Sequence, residues 1–195
     1  MATHTESAAE DRQDMQRLLQ GVDAALDTLM QRHGAPIIRY LHRMVGDEEE
    51  ANDLAQETFA RIYQHRSRFD PQQVFSTWAY TIAGNLARDF LRRRKRRPTD
   101  SLEAQVAETN LSLRETIPDG HPLAPDQLQA REQRIAVRRA VANLSEDLRE
   151  AVVLCELEDQ PIVIAAAILK TTPKAIESRL YRARKLLRSQ LKSWL

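Results

Sequence analysis

The sequence predicts an all-α chain: two small helical domains joined by a flexible acidic linker, the C-terminal one a helix-turn-helix. Three observations lead there. Apolar residues recur at three- and four-residue intervals over most of the chain. The pattern lapses over residues 99–127, which hold Pro118, Pro122, Pro125 and Gly120. Near the C-terminus a short apolar segment, a tight turn and a capped basic segment follow one another at helix-turn-helix spacing. The boundaries drawn from this are an N-terminal tail over 1–23, a helical domain over 24–98, the linker over 99–127 and the second domain over 128–195.

The first domain begins with Leu26, Leu29, Met30, His33, Ile37, Ile38, Leu41 and Val45, interrupted by Gly34 and Pro36, so two helical pieces or a kinked helix are expected. Gly46-Asp47 breaks this pattern, and Asp47 with Glu50 has the spacing of a capping box for the next helix. On that helix Ala51, Leu54, Ala55, Thr58, Phe59, Ile62 and Tyr63 face one way. Asp53, Gln56, Glu57 and Arg61 form a polar ridge on the other, available to a partner. After the break at 69–74, Phe75, Trp78, Ala79, Ile82, Ala83, Leu86, Phe90 and Leu91 form a further apolar face, with Phe75 and Trp78 expected in the core.

The opposite face of that helix reads as a nucleic-acid surface. Thr77, Tyr80, Thr81, Asn85, Arg88 and Arg92 lead into Arg93-Arg94-Lys95-Arg96-Arg97. Aromatic and amide groups stack on or hydrogen-bond unpaired bases while arginines hold the backbone. Tyr80 and Asn85 are therefore expected to touch DNA.

In the second domain Ile135, Val137, Val141 and Leu144 mark one helix, and Ser145 starts another that runs through Leu157. Residues 162–169 are an unbroken apolar run that a buried strand would also show, although Pro161 and three alanines favour a helix. Thr172 is placed to cap the last helix and Pro173 suits its first position; Ile176, Leu180, Ala183 and Leu187 form its apolar stripe. Its remaining surface offers Lys174, Arg179, Arg182, Arg184, Lys185 and Arg188 to phosphates, and Glu177, Ser178 and Tyr181 to base edges. Lys170 occupies a turn position where a left-handed backbone favours glycine.

The formal net charge of +1 hides a segregation. Residues 88–97 hold seven Lys/Arg against one Asp, and residues 170–192 hold eight against Glu177; outside them 14 Lys/Arg face 26 Asp/Glu, a net of −12. Two basic patches on an acidic body fix where nucleic acid lies and leave the remainder to protein partners. The linker is itself acidic, with Asp100, Glu103, Glu108, Glu115, Asp119 and Asp126 against Arg114. No run approaches a membrane span, and the acidic N-terminus lacks a secretory layout, so a cytoplasmic protein without membrane insertion is expected. A lone Cys155 among apolar residues reads as an inert thiol. The scattered His4, His33, His42, His65 and His121 give no metal-ligand spacing, and no phosphate-cradling loop is present. Neither a cofactor nor catalysis is expected.

Asp53-Leu54-Ala55-Gln56-Glu57-Thr58-Phe59, Arg68-Phe69-Asp70-Pro71, Phe75-Ser76-Thr77-Trp78-Ala79-Tyr80-Thr81-Ile82-Ala83-Gly84-Asn85-Leu86-Ala87-Arg88-Asp89 and the stretch from Glu177 to Arg184 resemble, in order and separation, the signatures of extracytoplasmic-function sigma factors of the sigma-70 family. The resemblance implies a sigma factor that binds core RNA polymerase, recognises the −35 promoter element as duplex and the −10 element as single strand, and promotes transcription initiation. It implies polymerase contact by Asp53, Gln56, Glu57 and Arg61. For the −10 strand it implies the Phe69–Phe75 loop and Asn85; with the helix face read above, the expected contacts are Phe69, Asp70, Gln72, Gln73, Ser76, Tyr80, Asn85, Arg88, Arg92 and Arg93. For the −35 duplex it implies Glu177, Ser178, Tyr181 and Arg182, to which the helix's own cap and basic surface add Thr172, Lys174, Arg179, Arg184 and Lys185 as expected contacts. The partners it implies are polymerase core, promoter DNA and an inhibitory anti-sigma factor.

The chain departs from its similar proteins at Glu177, where a basic residue is common, at Lys170, and at Val163 and Ile164, where acids are usual. Glutamate accepts from cytosine N4, so Glu177 is expected to read cytosine. An exposed Val163/Ile164 patch suggests an interface, either with an anti-sigma protein or with this chain's own first domain; deeper burial of that helix is the other reading. The competing function is a stand-alone helix-turn-helix regulator of transcription, which leaves the Asp53 ridge and the Tyr80/Asn85 face without a purpose.

Overall fold

The computed structural model describes residues 2–96 and 125–192, with side chains from 7–96 and 129–192. Most of the linker assigned to 99–127 lies outside the described residues, as do Arg97 and Pro98. Helices α1 (Ala2–Leu19), α2 (Ala24–Val45), α3 (Glu48–Gln64) and α4 (Phe75–Arg96) form the first module, with a 3-10 turn at Arg66–Arg68 between α3 and α4. The second comprises α5 (Pro125–Ala142), α6 (Glu146–Val152), a π-helical turn at Val153–Leu157, α7 (Ile162–Ile168) and α8 (Pro173–Gln190). No strand occurs among the described residues, which resolves the 162–169 run in favour of helix.

The local signals act where the sequence places them. Gly46 ends α2 in the left-handed region (φ 80), its N–H reaching the His42 carbonyl at 2.9 Å. One residue on, the Asp47 carboxylate accepts from the Glu50 N–H at 3.0 Å and starts α3. Thr172 does the same for α8, accepting from the Ala175 N–H at 3.2 Å with Pro173 at the first helical position. Lys170 takes φ 49, the left-handed conformation the turn demands, at a cost of about 1 kcal/mol relative to glycine.

Three features depart from expectation. Residues 24–45 form a single helix with Pro36 inside it, not two pieces. Ser145 precedes α6 but does not cap it, because its hydroxyl donates to the Asp147 carboxylate at 2.7 Å; the helix then widens into the π turn that carries it to Leu157. The supposed N-terminal tail is largely α1, whose Met15 and Leu18 are fully buried. α1 packs on α2, α4 and the 3-10 turn.

Leu29, Ile37, Leu41, Met44, Phe59, Ile62 and Phe75 fill the core of the first module, and Leu148, Val152, Leu154, Ile168, Ile176 and Leu180 that of the second. The two cores are continuous. α7 lies against α4, and the π turn and α5 lie against α2, so the modules are folded onto each other.

Candidate nucleic-acid and polymerase interfaces

The outer face of α8 is open. Burial of Ile176, Leu180 and Ala183 against the second module turns Thr172, Lys174, Glu177, Ser178, Arg182 and Lys185 outward, and Tyr181 is 72% exposed. Arg184 is exposed but paired with Glu156 at 2.5 Å, and half-buried Arg179 lies 3.9 Å from Asp147. Burial alone lets one strip of this helix reach a duplex, and it is the strip that carries donors, an acceptor and an aromatic ring.

The α3 ridge is also open. Asp53, Gln56 and Glu57 are exposed, and half-buried Arg61 donates from Nε to the Glu57 carboxylate at 2.7 Å, which aligns the two charges along the helix.

On α4 and the loop before it, the sequence-based set divides. Asp70, Gln72, Asn85, Arg92 and Arg93 are exposed, and Gln73, Ser76 and Arg88 are half-buried. Phe69 and Tyr80 are not available: both are buried. The Phe69 ring packs on Phe75 (6.2 Å between centroids) and Trp78 (5.2 Å), an aromatic cluster that anchors the loop from within. The Tyr80 ring meets Tyr40 edge-on at 5.2 Å, and burial raises the pKa of its hydroxyl. Thr77 is buried as well. A period of 3.6 residues locates the core-facing side of α4 but cannot foresee that a second module covers part of the other side.

Paired charges span that boundary. Glu150, only 4% exposed, accepts from Arg88 at 2.5 Å, and Arg88 also donates to the Asn85 side-chain oxygen. Glu158 from the second module accepts from Arg43 at 2.5 Å and lies 3.6 Å from Arg39. Arg43 further donates to the Leu157 carbonyl and Arg149 to that of Met44 at 2.8 Å, while the Thr81 hydroxyl, which donates to the Thr77 carbonyl at 2.8 Å, lies 3.4 Å from that of Ile168. Burial raises the pKa of Glu150 and Glu158 more than Arg88 and Arg43 lower it. The Tyr40 hydroxyl, fully buried beside this cluster, has no hydrogen-bond partner. A β-carbon at Gly84 would come within 2.9 Å of that hydroxyl and 3.5 Å of the Glu150 carboxylate, so any larger residue there would push the Tyr40 hydroxyl aside.

Sequence reasoning missed Arg39, Arg43, Arg149, Glu150 and Glu158. The available signal was Arg149-Glu150 running into the apolar Ala151-Val152-Val153-Leu154, where a charged pair needs a partner from elsewhere. The Val163/Ile164 patch divides: Ile164 packs toward the core, while Val163 stays 66% exposed.

Two basic helix faces on two helical modules, with a polar ridge apart from them, fit a promoter-specificity factor. The description "Sigma-70 region 2" matches residues 29–97 and "Sigma-70, region 4" matches residues 134–187. The chain is 30% identical over 190 residues to the RNA polymerase sigma-H factor of Pseudomonas aeruginosa, covering 95% of this chain and 96% of that one. It is 32% identical over 157 residues to the ECF RNA polymerase sigma factor SigW of Bacillus subtilis, covering 80% and 83%. Among solved structures, that of CnrH in complex with the cytosolic domain of CnrY is similar with a TM-score of 0.68 and 25% identity, over 94% of this chain and 98% of that one. The sigma factor RpoE of Bartonella quintana, solved with the anti-sigma factor NepR, shares the fold with a TM-score of 0.61 at 22% identity, over 85% of this chain and 96% of that one.

The chain belongs to the extracytoplasmic-function branch of the sigma-70 family. It is an RNA polymerase sigma factor. No described helix is long and apolar enough to cross a membrane.

Proposed function

We propose that this sigma factor works without catalysis, in the cytoplasm, by a division of labour among the surfaces above. Asp53, Gln56, Glu57 and Arg61 dock on core polymerase. Asp70, Gln72, Gln73 and Ser76 at the loop, with Asn85, Arg88, Arg92 and Arg93 along α4, take the unpaired −10 strand. Thr172, Lys174, Glu177, Ser178, Arg179, Tyr181, Arg182, Arg184 and Lys185 read the −35 duplex, Glu177 selecting cytosine. Phe69 and Tyr80 serve from the core, fixing the loop and α4.

The observation that carries this reading is the unequal exposure of the three surfaces. The α3 ridge and the α8 face stand open, while Arg88 is tied up by Glu150 and also donates to the Asn85 side-chain oxygen. A chain in this closed form can meet polymerase, yet Arg88 of its −10 set comes free only when the modules separate. Docking on core is the step proposed to separate them, because only the open form offers all its contacts at once. An anti-sigma factor that favours the closed form would hold the chain inactive.

The test is gel filtration with core polymerase followed by run-off transcription from promoter fragments. Co-elution, and transcripts that need both partners, are expected. Occupancy of duplex operators without polymerase, and no association with it, would establish the stand-alone regulator instead.

A further inference from the structure

The helix ahead of the first family region bears directly on the −10 loop. α1 docks through Met15 and Leu18, and through two carboxylates that are almost entirely buried, Asp11 at 2% and Asp14 at 6% exposure. Arg32 of α2 donates to both, reaching Asp14 at 3.2 Å, and His33 Nε2 lies 2.8 Å from Asp11. The His33 ring in turn packs on Phe75, centroids 4.9 Å apart, and Phe75 closes the loop and opens α4. Buried carboxylates satisfied this way fix the position of the helix, because removing either partner strands a charge.

The neighbouring residue points the other way. Arg12 is exposed and donates from Nε to the Pro71 carbonyl at 3.0 Å, bridging 59 residues of sequence. Pro71 is at the middle of the loop. Within it the Asp70 carboxylate accepts from the Gln72 N–H at 2.9 Å and the Asp70 carbonyl from the Gln73 N–H at 2.9 Å. The loop ends are held by Phe69 and Phe75, and its apex is tied to α1 through Arg12.

We infer that α1 is a splint for unpaired-base capture, with Arg12 as a positioning residue that sets the apex of the 69–75 loop and is itself placed by the Asp11–Arg32–His33 cluster. This rests on the reading that the loop takes a base of the opened −10 strand. A base pocket formed by a loop is only as selective as the loop is fixed, so holding the apex in advance spares the ordering cost at the moment of capture. Arg12 acts through backbone geometry and need not touch DNA.

The experiment uses the full chain assembled with core polymerase. Three variants are compared with wild type: Arg12→Ala, Arg12→Lys, and a loop variant combining Asp70→Ala with Gln72→Ala. Readouts are permanganate reactivity of −10 thymines in a duplex promoter, discrimination among −10 bases on single-stranded oligonucleotides, affinity for core, and affinity for a −35 duplex. Arg12→Ala is expected to lower opening and −10 discrimination roughly tenfold, the loss of one charge-assisted hydrogen bond. Core affinity, −35 affinity and thermal melting should stay at wild-type values, and Arg12→Lys, which keeps a donor, should recover part of the loss. If the loop variant loses discrimination while Arg12→Ala keeps it, the splint is wrong and the base-capture reading stands. If the loop variant also keeps it, the base-capture reading fails and takes the splint with it.

Discussion

Reversing the charge of Glu158 tests whether ion pairing holds the modules together. Its carboxylate lies 2.5 Å from Arg43 and 3.6 Å from Arg39, both on α2, and its side chain is 3% exposed. Glu158→Lys replaces two attractions with two repulsions. At an effective dielectric constant of about 20, a unit pair at 4 Å is worth about 4 kcal/mol. Arg39 is 55% exposed and Arg43 32%, so solvent and side-chain motion remove most of that. The charge-assisted hydrogen bond from Arg43 adds about 1.5–3 kcal/mol. A combined effect of about 3 kcal/mol shifts the closed–open equilibrium roughly a hundredfold toward open. Small-angle scattering of the purified chain should therefore report a larger radius of gyration for Glu158→Lys. Adding Arg43→Glu should draw the modules together again, the coupling expected of a direct pair. Circular dichroism checks that both modules remain folded. A scattering curve for Glu158→Lys that superimposes on wild type, with no response to the second change, would refute the ionic latch.

Acidification should tighten closure. Burial raises the pKa of Glu150 and Glu158 in the closed form above the usual carboxylate range, whereas opening returns them toward it. Between the usual and raised values the closed form holds more protons, so closure strengthens as pH falls through that window and is weakest above it. Scattering from pH 7.5 to 5 should show greater resistance to opening by salt, and opening on acidification would contradict this. At the ridge, Asp53→Lys combined with Glu57→Lys should weaken core binding at least tenfold, measured by fluorescence anisotropy, if these exposed groups are central to the contact. At the −35 element, Glu177→Arg should move preference from cytosine to guanine by about 1–3 kcal/mol, read by competition among duplexes. Ile164→Glu should lower the melting temperature and loosen closure by about 2 kcal/mol, because it buries a charge against the core. Val163→Glu, on the exposed side, should stay within about 0.5 kcal/mol in the same melts.

Much of this molecule was legible from local rules. Asp47, Gly46, Thr172 and Pro173 mark helix ends because capping involves atoms within four residues of each other. The apolar stripes of α3 and α8 were readable because one face of each packs inward, which left the Asp53 ridge and the Glu177–Tyr181 strip outside. Even the left-handed turn at Lys170 follows from spacing alone.

What escaped depends on partners far along the chain. Asp11 and Asp14 made α1 look like a polar tail, since nothing nearby in sequence announces that Arg32 pairs with both and that His33 lies against Asp11. Tyr80 looked available because the module that helps bury it begins after the linker. Glu150 and Glu158 went unremarked because their partners Arg88, Arg43 and Arg39 lie in the other module. The sequence by itself determined which helices form and which of their faces are apolar, because backbone hydrogen bonds and helical periodicity are short-ranged. Only the tertiary structure decided which polar faces stay in water, because the cost of burying a charge is set by whichever partner the fold brings to it.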